Sequence, residues 1–148
     1  MRSGVLLLAL ALVAQSFGAS AAMAPDDAVA PLDGTSWTLS TLGERKPNGR
    51  ESVKLEFKGD RLLGTDGCNR YSGPYSTSGA RLRIGPDVIS TQMACPAEVM
   101  ELAGAYMATL LGVQGYRINN GTLELLGATG TVTATFAAQA TPGAGAHQ

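Results

Sequence analysis

The stretch Val53-Lys54-Leu55-Glu56-Phe57-Lys58-Gly59-Asp60-Arg61-Leu62-Leu63-Gly64-Thr65-Asp66 decides the fold. Val53, Leu55 and Phe57 alternate with charged residues at period two, the pattern of a strand with one face on a core and the other in water. Lys58-Gly59-Asp60 is turn chemistry, because glycine takes the positive φ that a tight hairpin demands. Arg61 to Asp66 then reads as a weaker returning strand. A β-hairpin follows, and the same rhythm recurs on both sides of it. Trp37 and Leu39, Leu82 and Ile84, Tyr116 and Ile118, Leu123 and Leu125, and Val132, Ala134 and Phe136 all alternate. Turn signals at Thr77-Ser78-Gly79, Asn119-Asn120-Gly121 and Gly127-Ala128-Thr129-Gly130 separate them. With Val88 to Met93 as a further weak strand, about eight strands are expected, joined as antiparallel meanders.

One segment departs from this rhythm. Val99, Leu102, Ala103, Tyr106, Leu110 and Val113 fall on one face at helical spacing. Pro96 suits the helix start, Glu98 and Glu101 lie near the positive end of its dipole, and Gly112 can end it. The expected fold is therefore α+β: a curled antiparallel sheet or cracked β-barrel with one α-helix packed on it.

The chain has 148 residues and is 45% apolar, enough for one domain and one core. Its ends read differently from its middle. Arg2, an apolar run from Val5 to Val13 and the small-residue sites Ala19-Ser20-Ala21 and Ala22-Met23-Ala24 make residues 1–24 a secretory signal peptide. The apolar run is far shorter than the roughly 20 residues that a spanning helix needs. Residues 25–31 read as a flexible lead-in, 32–138 as the domain and 139–148 as a disordered tail. No cysteine precedes Cys68, so no lipid anchor is expected after cleavage. A soluble monomer, periplasmic or secreted, is the expectation.

Removing residues 1–24 leaves ten basic residues against twelve acidic ones. The basic residues are scattered from Arg45 to Arg117 without a run, and nucleic acid is not an expected partner. Cys68 and Cys95 are the only thiols, and in an exported chain they are expected to form a disulfide. A zinc site needs three or four ligands, so no metal is expected. His147, the sole histidine, lies in the tail and cannot complete a triad. Asp60, Asp66 and Asp87 read as turn formers rather than acid–base catalysts. The glycines have no phosphate-binding context, so neither a cofactor nor an enzyme activity is expected.

Three local patterns are distinctive: Leu32-Asp33-Gly34-Thr35-Ser36-Trp37, Gly67-Cys68-Asn69-Arg70-Tyr71-Ser72-Gly73-Pro74-Tyr75, and Thr91-Gln92-Met93-Ala94-Cys95. Together they resemble the META domain family, which includes HslJ-like heat-shock proteins, from about Leu32 to Phe136. The resemblance implies a small barrel-like domain of the bacterial envelope, with family links to heat shock, novobiocin tolerance and, in protozoan members, virulence and secretion. It brings no catalytic residue.

Read physically, these motifs are mainly structural. Gly67 and Gly73 are placed for positive φ, Asn69 for bonding backbone in a tight loop, Trp37 for anchoring the core, and Thr91 and Met93 for the strand end that Cys95 ties to Cys68. Arg70, Tyr71 and Tyr75 are the candidate binding residues, a cation and two rings in one loop. Two functions are compatible with this. The first is a stress-response or envelope-maintenance module that binds a protein or an apolar ligand, with Met93, Met107 and Leu111 as a lining between helix and strands. The second is an inhibitor of a cell-wall or other envelope hydrolase that presents Arg70 to Tyr75.

Overall fold

A computed structural model describes residues 29–50 and 52–139. The expected signal peptide, residues 25–28 of the lead-in and the tail from residue 140 lie outside the described residues.

Among the described residues, nine strands and one helix follow in chain order. They are β1 (Ser36–Leu42), β2 (Val53–Lys58), β3 (Arg61–Asp66), β4 (Arg70–Ser78), β5 (Arg81–Ile84), β6 (Ile89–Ser90), α1 (Ala97–Leu111), β7 (Gly115–Asn119), β8 (Thr122–Leu126) and β9 (Val132–Ala138). All paired strands are antiparallel. The order β3-β2-β1-β9-β8-β7-β5-β4 returns to β3 through the β3–β4 pairing, which closes an eight-stranded barrel, and β6 adds to the same side of β4 as β5. Closure removes the unpaired edges that an open sheet of this size would present. The β5–β7 junction is the thinnest seam. Only Arg81 and Gly115 are in register there, flanked by hydrogen bonds from Leu82 N to Gln114 O and from Tyr116 N to Ala80 O.

The alternating residues face inward as their spacing requires. Val53, Leu55, Phe57, Leu62, Leu82, Leu123, Leu125, Ala134 and Phe136 are all at most 1% exposed, so the barrel interior is packed rather than hollow. The expected turns hold as well, with Asn120 and Gly121 at φ 48° and 76°, the two consecutive positive values that a two-residue hairpin needs. Helix α1 starts after Pro96 and ends at Gly112, and it buries Val99, Leu102, Ala103, Tyr106 and Leu110. It covers one opening of the barrel. Leu102, Tyr106 and Leu110 join the main core, while Val99 and Ala103 pack against Cys68 and Cys95.

Those cysteines form the disulfide, with Cα atoms 6.0 Å apart across 27 residues. On the chain-entropy model a loop of that length contributes about 3 to 4 kcal/mol.

The structure corrects the sequence reading at four places. Arg70 to Tyr75 is not a loop but part of β4, and only Gly67-Cys68-Asn69 forms the turn before it. Pro74 sits where the partner of β4 changes from β6 to β5, a position at which a missing N–H is tolerated. The expected strand from Val88 to Met93 shrinks to the two residues of β6. Gly73 does not take a positive φ. It is needed because Val88 packs on it, and a Cβ there would lie 2.7 Å from Val88 Cγ2.

Finally, the domain extends beyond both expected bounds. The Tyr116 hydroxyl donates to Ala30 O, and Gln139 N donates to Ser36 O.

Candidate functional site

The three distinctive motifs fasten the two ends of the β2–β4 side of the barrel, the first at the β2–β3 turn and the second and third joined at the opposite end, beside Asp66. In the first, Thr35 Oγ1 accepts from Trp37 Nε1 at 2.7 Å and donates to Leu32 O. Asp33 Oδ1 accepts from Gly59 N at 2.7 Å, and Gly34 N donates to Phe57 O. This turn therefore fastens β1 to the β2–β3 hairpin and places Trp37, 4% exposed, in the core.

The second and third motifs form one hydrogen-bonded unit. Asp66 Oδ1 accepts from Cys68 N and Asn69 N, at 2.9 and 2.6 Å, around Gly67 at φ 97°. Asp66 is the one buried charged residue among those described, and its carboxylate is a turn cap, as its position suggested. Asn69 Oδ1 does not bond within its own loop. It accepts from Met93 N at 2.6 Å and from the Thr91 hydroxyl, while Thr91 Oγ1 accepts from Arg70 N. Asn69, Thr91 and the Met93 backbone thus bind the Gly67 turn to the Cys95 segment, with the disulfide alongside.

The candidate binding residues divide. Tyr71 is buried, and its hydroxyl donates to Lys54 O at 2.8 Å and accepts from the Tyr106 hydroxyl at 2.6 Å. Its ring is a core element rather than a recognition surface. Burial pushes the Tyr106 phenol well above its ordinary range and the Tyr71 phenol up as well, so both stay protonated and act as hydrogen-bonding struts. Tyr75 is half-buried, edge-on to Phe57 with ring centroids 4.8 Å apart, and it donates to Gly59 O. Only Arg70 projects into solvent. The residues from Arg70 to Tyr75 are strand and do not form the protruding loop expected of them in an inhibitor.

The expected lining between helix and strands is not assembled either. Met93 and Leu111 are 54% and 49% exposed, and only Met107 packs against the core.

A groove of about 620 Å³ lies instead on the outer face of β2, β3 and β4. The pairing register builds it. Thr38, Lys54, Thr65 and Arg70 stand side by side in one outward row across β1 to β4. Ser36, Glu56, Leu63, Ser72 and Ile89 form the next row, extended to β6. The rows are roughly 7 Å apart along the strands. Small outward groups at the centre (Thr65, Ser72) leave a hollow, and longer side chains (Lys54, Arg70, Ile89, Gln139) wall it. Gln139 is held at the rim by its Nε2, which donates to Thr38 Oγ1 at 2.6 Å.

Lys54 and Arg70 take part in no ion pair among the described residues, where the ion pairs are Arg45–Glu101 and Arg117–Glu124. Leu63 and Ile89 supply apolar surface, Ile89 being 68% exposed. Of the residues that line this site, sequence reading selected Arg70 and Tyr71 as binding candidates and Thr91 as a motif residue, and of the two binding candidates only Arg70 turns its side chain outward. The available signal was Leu62-Leu63, because only one of two adjacent strand leucines can face the core. A second, smaller cavity between the Arg45–Asn48 loop and α1 is polar and open.

Among the described residues, no group of His, Cys, Asp or Glu is placed to hold a metal ion, and no helix is long and apolar enough to cross a membrane.

The architecture is thus a small closed antiparallel barrel, capped by one helix and stapled beside its motif turns. The chain belongs to the META domain family, whose model matches residues 30–140. The NMR structure of a protein from Burkholderia xenovorans is similar, with a TM-score of 0.64 at 27% identity over 77% of this chain and 94% of that one. A second NMR structure, with a TM-score of 0.58 at 20% identity over 72% of this chain and 90% of that one, shares the fold. No curated protein matches the chain.

Proposed function

We propose that this chain is an exported, non-catalytic META-family binding module that serves stress response or maintenance in the bacterial envelope, and that the outer groove of β2, β3 and β4 is its recognition surface. The observation that carries this reading is the pairing of two cations, Lys54 and Arg70, with exposed apolar surface at Ile89 and Leu63 in one concavity. The interior is filled by its own side chains, so a ligand has to be met from outside. The two buried phenols are held neutral, which supports a structural rather than an acid–base role for them. The N-terminal segment supports export, with a non-lipidated monomer in the periplasm or the medium as its destination.

In a host deleted for the gene, the wild-type protein should restore growth under heat or novobiocin. The Lys54→Glu/Arg70→Glu double variant should fail to do so, with unchanged thermal midpoint and exported amount, because both side chains are exposed and make no ion pair among the described residues. Full restoration by the double variant would contradict the reading.

A further inference from the structure

Resting on the groove as the recognition surface, we propose that its ligand is a single-headed anionic amphiphile, with the head between Lys54 and Arg70 and the apolar body along Leu63 and Ile89.

The charge distribution argues for an anion. The whole chain carries a formal net charge of −1, yet the outward positions of β2, β3 and β4 hold Lys54, Lys58, Arg61 and Arg70 against Glu56 alone. None of these five is in an ion pair among the described residues. Lys58 and Arg61 flank the turn that carries Asp60, beside which Asp33 is bonded to Gly59, so acidic groups stand at that end. Arg61 is further engaged by donating to Ser72. Lys54 and Arg70 lie at the other end, where Asp66 Oδ1 is turned into the Gly67 turn.

Register places the head. Lys54 and Arg70 are each paired with Thr65, from opposite sides. Their backbones are therefore two strand spacings apart, roughly 10 Å, a separation that two long side chains can close around one anionic group. Thr65 Oγ1 accepts from Gly67 N and keeps its own proton to donate upward.

The adjacent row sets the rest of the ligand. Leu63, Ser72 and Ile89 are consecutive partners across β3, β4 and β6, giving two apolar walls with a small polar residue between them. Glu56 stands beside Leu63 in that row and repels a second anionic group. The 620 Å³ volume falls within the range of small-molecule sites.

The test is a titration of the purified full chain with octanoate, octyl phosphate, octyltrimethylammonium and inorganic phosphate, followed through backbone amide chemical shifts. Octanoate or octyl phosphate should give saturable shifts at Thr65, Arg70 and Ile89, and the tighter of the two identifies the head as carboxylate or phosphate. Lys54→Ala and Arg70→Ala should each weaken that binding about tenfold, the loss of one charge-assisted hydrogen bond, and Ile89→Ser should weaken it as well. Octyltrimethylammonium should not compete. Equal binding of the cationic amphiphile, affinity unchanged in the alanine variants, or inorganic phosphate binding as tightly as octyl phosphate would each overturn the proposal. If no amphiphile binds while the double charge reversal still abolishes growth restoration, the ligand class falls and the recognition surface stands. If the reversal restores growth, the surface itself falls.

Discussion

Gly64→Ala should cost this protein about 3 to 4 kcal/mol, read as a fall in the urea midpoint. A Cβ at Gly64 would lie 2.0 Å from Lys54 O and 2.6 Å from the Tyr71 hydroxyl. Those two atoms are themselves hydrogen-bonded at 2.8 Å, directly over the glycine. A methyl group there must part β2 from β3 or expel the phenol, and either leaves buried polar groups without partners. Since proteins of this size are stable by only about 5 to 15 kcal/mol, this is a large share of the folding free energy. The control is Gly104→Ala on α1, where a new Cβ meets nothing within 4 Å. There alanine should stabilise by up to about 1 kcal/mol through helix propensity. If Gly64→Ala were as stable as the wild type, the crossing of Tyr71 over β3 would be wrong.

The same phenol pair should make the fold fail in alkali. In the unfolded chain Tyr71 and Tyr106 lose their protons near the ordinary phenol value of 10, whereas the folded protein retains them because burial disfavours the phenolate. Below about pH 10 the two states bind the same phenolic protons, and these groups add no pH dependence. Above it the unfolded state is favoured by about 1.4 kcal/mol per pH unit for each retained proton, or about 2.7 kcal/mol per unit for the pair. Urea midpoints measured from pH 8 to 12 should be level at first and then fall steeply. Tyr106→Phe should remove about half of the phenol-pair slope while costing only about 1 kcal/mol near neutrality, since the Tyr71-to-Lys54 hydrogen bond survives it. Parallel pH profiles for Tyr106→Phe and wild type would contradict the assignment.

Much of this barrel is legible residue by residue. Inward faces follow from alternation in β1, β2, β5, β7, β8 and β9, the hairpin ends from glycine and asparagine, and α1 from its period and flanking Pro96 and Gly112. The disulfide follows from there being two cysteines. What escapes has physical causes. The longest strand, β4, contains Ser72-Gly73-Pro74, which reads as a turn in one dimension. In three dimensions Gly73 makes room for Val88, and Pro74 occupies the change of partner. Gly64 looks like a blemish in a weak strand until the register places the Lys54 carbonyl and the Tyr71 hydroxyl above it. The groove is less legible still. Its residues come from β2, β3, β4, β6 and Gln139, and alternation assigns each to an outward face without saying which outward faces are neighbours. Arg70 was readable because it stands within a distinctive motif, whereas Lys54 and Ile89 have no such marker.

The most direct test of the central claim, that recognition occurs on the outer face of β2, β3 and β4, is site-specific photocrosslinking in living cells. The crosslinking residue is placed at Ser72 in the groove in one experiment. In the other it replaces Arg117 on β7, away from the groove around the barrel, where the exposed ion pair to Glu124 that is lost contributes little. Covalent adducts, identified by mass, should form at position 72 and disappear when Lys54→Glu and Arg70→Glu are introduced, with position 117 unlabelled. Adducts of the same mass at position 117 alone, or equally at both positions and insensitive to the charge reversal, would contradict the account.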